Sequence, residues 1–188
     1  MPKKFQNREI AQKTIITAAG RKLRERGFDG VGVDALLREA DLTSGAFYSQ
    51  FKSKDELLLA VIKDGFDKNE KLFEMAVEKG GPRWVSKLLR MYLSPEHRSN
   101  VADGCLLPTL SIDAMRSGRE ARELFGELIS QVVEKYAQFS SESGEPLGRE
   151  RMWAMLAIMT GGVLLARAVE NDRTANEILE ACRRSAMG

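Results

Sequence analysis

Helical spacing runs through almost the whole of this chain, and no stretch keeps the strict apolar–polar alternation that a half-buried strand requires. That one feature confines the fold to helices packed on helices. Ile15, Ala18, Ala19 and Leu23 line one face of a first helix, which Gly27 can end as a left-handed cap. Val33, Leu36, Leu37 and Ala40 fall at i, i+3, i+4 and i+7, the pattern of a short amphipathic helix. The turn Asp41-Leu42-Thr43 then leads into a very short third helix, from about Ser44 to Gln50. Ser53-Lys54-Asp55-Glu56 has the form of a capping box, in which the Ser53 hydroxyl accepts from the Glu56 amide and the Glu56 carboxylate returns to the Ser53 amide. From there Leu58, Val61, Ile62, Phe66, Leu72, Phe73 and Val77 carry an apolar stripe to the break at Gly80-Gly81-Pro82, long enough to link two lobes. Further helices are expected at about 82–93, 105–117, 119–141, 148–171 and 174–186, with a helical turn near 96–101 and a loop over 140–146. The expected fold is all-α, with a three-helix N-terminal unit over residues 1–53 and a helical body over 54–188.

Charge separates the same two regions. Residues 1–55 carry 11 Lys/Arg against 7 Asp/Glu, while the remaining 18 Lys/Arg of the chain face 20 Asp/Glu. Lys3, Lys4, Arg8, Lys13, Arg21, Lys22, Arg24 and Arg26 crowd the first 26 residues against only Glu9 and Glu25. A basic lobe on a mildly acidic body suits a polyanionic partner at one end. Two cysteines, Cys105 and Cys182, make no disulfide framework, and no apolar leader opens the chain. The longest apolar run, Met152 to Ala166, is shorter than the roughly 20 residues of a bilayer span. It reads as a buried helix of a cytoplasmic protein with no membrane partner.

Two short helices joined by a tight turn and preceded by a longer one match a helix-turn-helix unit. In the third helix Phe47 and Phe51 are four apart and can pack against Ile15, Leu23, Leu36 and Leu37. That leaves Ser44, Gly45, Ala46, Ser49 and Gln50 outward, small enough to sit close to base edges, with Gln50 suited to bond a base and Ala46 to touch a thymine methyl. Tyr48 and Lys54 flank this surface with groups suited to phosphates.

The stretch from Ala18 to Phe28, with Val33 and Ala40, and then Leu42 through Leu58, resembles the N-terminal domain of the TetR family. Its hallmark, Tyr-x-x-Phe followed by Ser-Lys-Asp/Glu-x-Leu, stands here as Tyr48, Phe51, Ser53, Lys54, Asp55 and Leu57. The resemblance implies a double-stranded DNA partner, phosphate contacts from Tyr48 and Lys54, and DNA contacts from Thr43, Ser44, Gly45, Ala46, Ser49 and Gln50. Two positions depart from the family pattern. Val31-Gly32 replaces the usual Thr/Ser before the second helix, removing a side-chain cap, and Asp34 stands where a basic or polar residue is common. The implied function is a regulator, a repressor released from a palindromic operator by an unknown small-molecule effector, with no cofactor or metal.

A lone three-helix unit offers too small an interface for tight specific binding, which pairing on a palindrome solves. Ala154, Ala157, Ile158, Gly161, Leu165 and Ala168 form a small-residue stripe for a homodimer, and the resemblance implies a four-helix bundle, here assigned to about 119–139 and 148–171. Phe66, Trp84, Leu88, Met91, Tyr92 and Met115 are the candidate lining of an effector pocket, though such residues more often make an ordinary core. Cys105, after Asp103-Gly104, is placed at a helix start where the dipole lowers a thiol pKa, so a redox- or electrophile-sensing repressor is the alternative reading. His97 lacks recognisable catalytic partners, so turnover is not expected. A helical dimer without DNA function is the remaining rival.

Overall fold

A computed structural model describes residues 3–39 and 43–187, and leaves out the side chains of residues 3–8 and Glu39. The predicted positions Ala40, Asp41 and Leu42, and the side chains of Lys3, Lys4 and Arg8, lie outside the described residues. The first unit consists of α1 (Lys3–Arg26), α2 (Val33–Glu39) and α3 (Ser44–Tyr48). Gly27 closes α1 at φ +73°, its amide bonding back to the Leu23 carbonyl at 2.8 Å. Only glycine holds that conformation without strain, which is why the chain turns there. No hydroxyl caps α2. Its first amides, Ala35 and Leu36, fall on the Gly32 carbonyl at 3.1 and 3.2 Å, and Val31 is buried instead of capping. Ile15, Leu23, Leu36, Leu37, Phe47 and Phe51 are all buried, and the two phenylalanine rings lie 5.8 Å apart. The predicted tripod core therefore forms.

The body begins with α4 (Lys54–Gly80), whose 27 residues reach about 40 Å at 1.5 Å per residue. Its buried face runs through Leu57, Leu58, Val61, Ile62, Gly65, Phe66, Phe73 and Ala76. A 3-10 turn over Gly81–Arg83 leads to α5 (Trp84–Tyr92), followed by α6 (Pro95–Ser99), α7 (Leu107–Arg116), α8 (Arg119–Ala137), α9 (Arg149–Ala168) and α10 (Asp172–Met187). The buried residues from Ile15 to Ala186 make one continuous hydrophobic cluster, so the first unit is seated on the body rather than hung from it. Two polar ties add to that seat: Arg21 of α1 pairs with Asp103 in the loop before α7, and Lys54 Nζ donates to the Phe28 carbonyl.

Two helix boundaries differ from expectation. The eighth helix stops at Ala137 rather than 141, because the chain folds back in a narrow hairpin closed by Leu147 N–H to Phe139 O (3.0 Å) and Gly148 N–H to Ala137 O (2.9 Å). Gly144 and Gly148, at φ +83° and +81°, make that return possible. The seventh helix starts at Leu107, two residues beyond Cys105. Helix α9 is, among the described residues, long and apolar enough to cross a membrane by length and composition, but it is a core helix here. Met152, Met155, Leu156, Met159, Gly162, Val163 and Ala166 are buried within the bundle.

Candidate nucleic-acid interface

Helix α3 is short, and its geometry is set at both ends by its own side chains. Thr43 is the N-cap, its hydroxyl accepting from the Ala46 amide at 3.3 Å, so it orders the helix as well as facing outward. Ser49 donates to the Ala46 carbonyl at 2.7 Å, and Gln50 Nε2 donates to Ser49 Oγ at 3.2 Å. Ser44, Gly45, Tyr48 and Ser49 are exposed, Ala46 and Gln50 half-buried. Tyr48 is 62% exposed while its neighbour Phe47 is 1% exposed, and the two rings meet edge-on at 5.1 Å. The helix is thus anchored by Phe47 and presents a small polar surface with one protruding phenol. A side chain on Gly45 would meet only Thr43 Oγ1, at 4.0 Å, so the surface above it is open to close approach.

The flanks hold two departures. The Ser53 hydroxyl caps α4 as predicted, accepting from the Glu56 amide at 3.1 Å, but the Glu56 carboxylate returns to the Lys52 amide at 2.6 Å, one residue earlier than expected. Lys54 does not project beside α3. Its ammonium turns inward onto the Phe28 carbonyl and lies 4.0 Å from the centre of the Phe28 ring. A cation that would be unfavourable at a helix N-terminus finds an acceptor and an aromatic face within the fold. On the other flank Lys22 and Arg26 of the basic lobe are joined by Arg38, which sequence reasoning did not single out. Lys22, Arg26 and Arg38 line a cleft of about 280 Å³ with Val31 and Ala35, a cationic notch between α1 and α2. Arg38 follows Val31 and Ala35 at helical spacing, a signal legible in hindsight from the sequence.

Residues 15–61 match the model of the family described as bacterial regulatory proteins, tetR family. The chain carries, over residues 15–61, the N-terminal domain of that family. It is similar to the transcriptional repressor NemR of Escherichia coli K12, at 24% identity over 165 residues covering 81% of this chain and 82% of that one. It is also similar to the transcriptional regulator AcuR of Cereibacter sphaeroides, at 29% identity over 112 residues, 58% of this chain and 51% of that one. The fold as a whole is shared with the crystal structure of a TetR regulatory protein from Rhodobacter sphaeroides, with a TM-score of 0.77 at 22% identity over 94% of this chain and 97% of that one. The reduced form of E. coli NemR gives 0.69 at 20% identity over 94% of each chain. The chain is a DNA-binding transcriptional regulator.

In the body of the regulator, the six residues expected to line an effector pocket divide between core and surface. Phe66, Trp84, Leu88 and Tyr92 are buried in the core, Met91 is half-buried, and Met115 is 59% exposed at the surface. Met115 therefore leaves the set, because its place near the end of α7 turns it outward. Trp84 Nε1 donates to the Ser140 carbonyl at 3.0 Å, tying α5 to the hairpin.

Cys105 is also placed differently from expectation. It is 5% exposed, and burial pushes its thiol pKa up, against the lowering expected of a helix start. Its sulfur nonetheless accepts from Asn69 Nδ2 at 2.9 Å and from the Leu107 amide at 3.3 Å. The Cys105 amide donates to His97 Nε2 at 3.2 Å, and His97 Nδ1–H donates to the Tyr92 carbonyl at 2.7 Å, so both ring nitrogens of the neutral imidazole are committed. Burial holds the His97 pKa below its usual value, with Arg167 pushing the same way and the Tyr92 carbonyl opposing. A Cβ on Gly104 would sit 2.3 Å from the Asn100 carbonyl, so only glycine lets the chain close this turn.

Proposed function

We propose that the regulator is a repressor which binds a palindromic operator as a homodimer and leaves it when a small molecule occupies the body. The observation that carries this reading is the outward face of α3: small polar residues and a protruding Tyr48 on a helix pinned from beneath by Phe47 and Phe51. In this reading residues 1–53 are the DNA-binding unit and 54–188 the body. Ser44, Gly45, Ala46, Ser49 and Gln50 face the bases, Thr43 holds the helix start, and Tyr48 with the notch of Lys22, Arg26 and Arg38 contacts the backbone.

The dimer forms through α9. Ala154, Ala157, Leu165 and Ala168 are exposed, Ile158 and Gly161 half-buried, and Trp153 and Leu164 extend the face at 37% and 42% exposure. The second helix of the bundle is α10 in preference to α8. The apolar residues of α8, from Leu124 to Val132, are turned onto the core, and Glu120, Glu123 and Glu127 are exposed on its outer face. The effector enters among Phe66, Trp84, Leu88, Met91 and Tyr92 by opening packed core.

The test is selection of bound fragments from random duplex DNA, with sedimentation of the protein and its complex. A symmetric site and a two-chain protein are expected. A site without two-fold symmetry, bound tightly by one chain, refutes the reading. A second reading, that Cys105 senses electrophiles, draws support from the donors gathered on its sulfur, which stabilise a thiolate once it forms. Operator release by a maleimide in the wild type but not in Cys105→Ser is its expected outcome, and equal release in both would remove it.

A further inference from the structure

A cleft of about 410 Å³ lies where the DNA-binding unit meets the body. Phe28 and Asp29 line it from the turn after α1, Asp55 from the first turn of α4, and Asp113, Arg116 and Ser117 from the end of α7. Three carboxylates face one guanidinium, so the lining carries two net negative charges. Asp113 is only 8% exposed. Its carboxyl takes a hydrogen bond from the Phe28 amide, yet Oδ2 is buried without any donor, and Arg116 does not close on it. Ser117 Oγ is likewise buried and unpartnered. A buried acceptor left without a donor is costly, and a charged one more so. These oxygens are arranged for a donor the chain itself does not supply.

We propose that this cleft binds a short aliphatic diamine. Among the described residues no three His, Cys, Asp or Glu side chains converge to hold a metal ion, so the carboxylates are too spread for one small cation to satisfy. A dication with ammonium groups at both ends of an alkyl stem matches the charge of the lining. One ammonium donates to Asp113 Oδ2 and Ser117 Oγ, the other reaches Asp29 or Asp55, and the stem lies against Phe28. The volume falls within the roughly 300–1,000 Å³ usual for small-molecule sites. Two walls belong to different parts of the molecule, so an occupied cleft fastens the turn after α1 to the end of α7 and biases the pose of α1–α3. Only this last step, from occupancy to operator affinity, rests on the proposed function.

The experiment is calorimetric titration of the full chain with 1,4-diaminobutane, without DNA and at constant ionic strength. One saturable site per chain is expected, with 1-aminobutane and the Asp113→Asn variant each weaker by about tenfold or more, as loss of one charge-assisted bond implies. Asparagine keeps an acceptor for the Phe28 amide, so the turn is retained. Should Asp113→Asn fail to fold by circular dichroism, Asp29→Asn and Asp55→Asn change exposed residues and give the same readout. Absence of a saturable heat, or equal affinity in the wild type and the Asn variants, overturns the proposal. Fluorescence anisotropy with the selected operator, without diamine, is read separately. Loss of DNA binding there counts against the regulator reading and leaves the cleft untouched.

Discussion

Gln50 follows the C-cap of α3, its amide donating to Ser49 Oγ, so a base edge must share or displace that bond. Gln50→Ala is expected to change the preferred base at one position per half-site by roughly 1–3 kcal/mol, read by competition across operator variants. Lys54→Ala acts elsewhere. With its ammonium on Phe28, its loss should lower thermal stability and leave the salt dependence of binding unchanged, whereas a fall of about one unit in the salt slope would return Lys54 to a phosphate. His97 gives a pH effect whose sign is fixed. Burial depresses its folded pKa below the ordinary value of about 6.5, so the unfolded chain binds more protons in that window. Stability is therefore full above about pH 6.5 and falls as pH drops toward the folded value, and His97→Gln should flatten that part of a melting-temperature profile. The roles of Phe47, Phe51 and Tyr48 were legible because i, i+4 spacing alone separates the buried rings from the exposed phenol. The inward turn of Lys54 was not, since its partner is 26 residues away in sequence. Nor was the raised pKa of Cys105, which depends on how deeply α4 and α5 cover it.

Adjacent glycines in α9 meet opposite surroundings. A Cβ on Gly162 would lie 2.9 Å from Cys182 Sγ and 3.0 Å from Leu93 Cδ2, whereas one on Gly161 would meet nothing within 4 Å. Gly162→Ala should destabilise the fold by about 1–3 kcal/mol through overpacking. Gly161→Ala should be neutral or gain up to about 1 kcal/mol of helix propensity in the monomer. If the α9 face is the dimer contact, a larger Gly161→Leu should weaken association in sedimentation while leaving the helical signal intact. Urea unfolding of both alanine variants checks the first pair of statements, and equal destabilisation would contradict them. Helix identity was readable along the whole chain from apolar periodicity. Helix ends were less so, because the hairpin after α8 is closed by backbone bonds between residues eight to eleven apart, which no local pattern announces.

Over the whole molecule, the basic N-terminal lobe and the continuous core belong together. Burial from Ile15 to Ala186 joins the proposed DNA-reading unit to the body that would sense a ligand, so neither moves without rearranging shared contacts. The pocket residues show the limit of sequence reading at this scale. Phe66, Trp84, Leu88 and Tyr92 have the composition of a ligand site and of a core alike, and only three-dimensional packing tells them apart. Two arginines bind the body into one piece in a less obvious manner. Arg98 donates to the Ala166 and Val169 carbonyls at the end of α9, at 2.7 and 2.9 Å. Arg167, one residue from that end, donates in turn to the His97, Arg98 and Asn100 carbonyls at the end of α6, at 2.8, 3.0 and 3.2 Å. Each helix terminus is thus stoppered by a side chain from the other. Fraying of either one uncaps its counterpart, so the two ends should open as a single event. In native-state hydrogen exchange, amides of the last turns of α6 and α9 should share one opening free energy, and Arg98→Ala should accelerate exchange in both turns, including the one its side chain never touches.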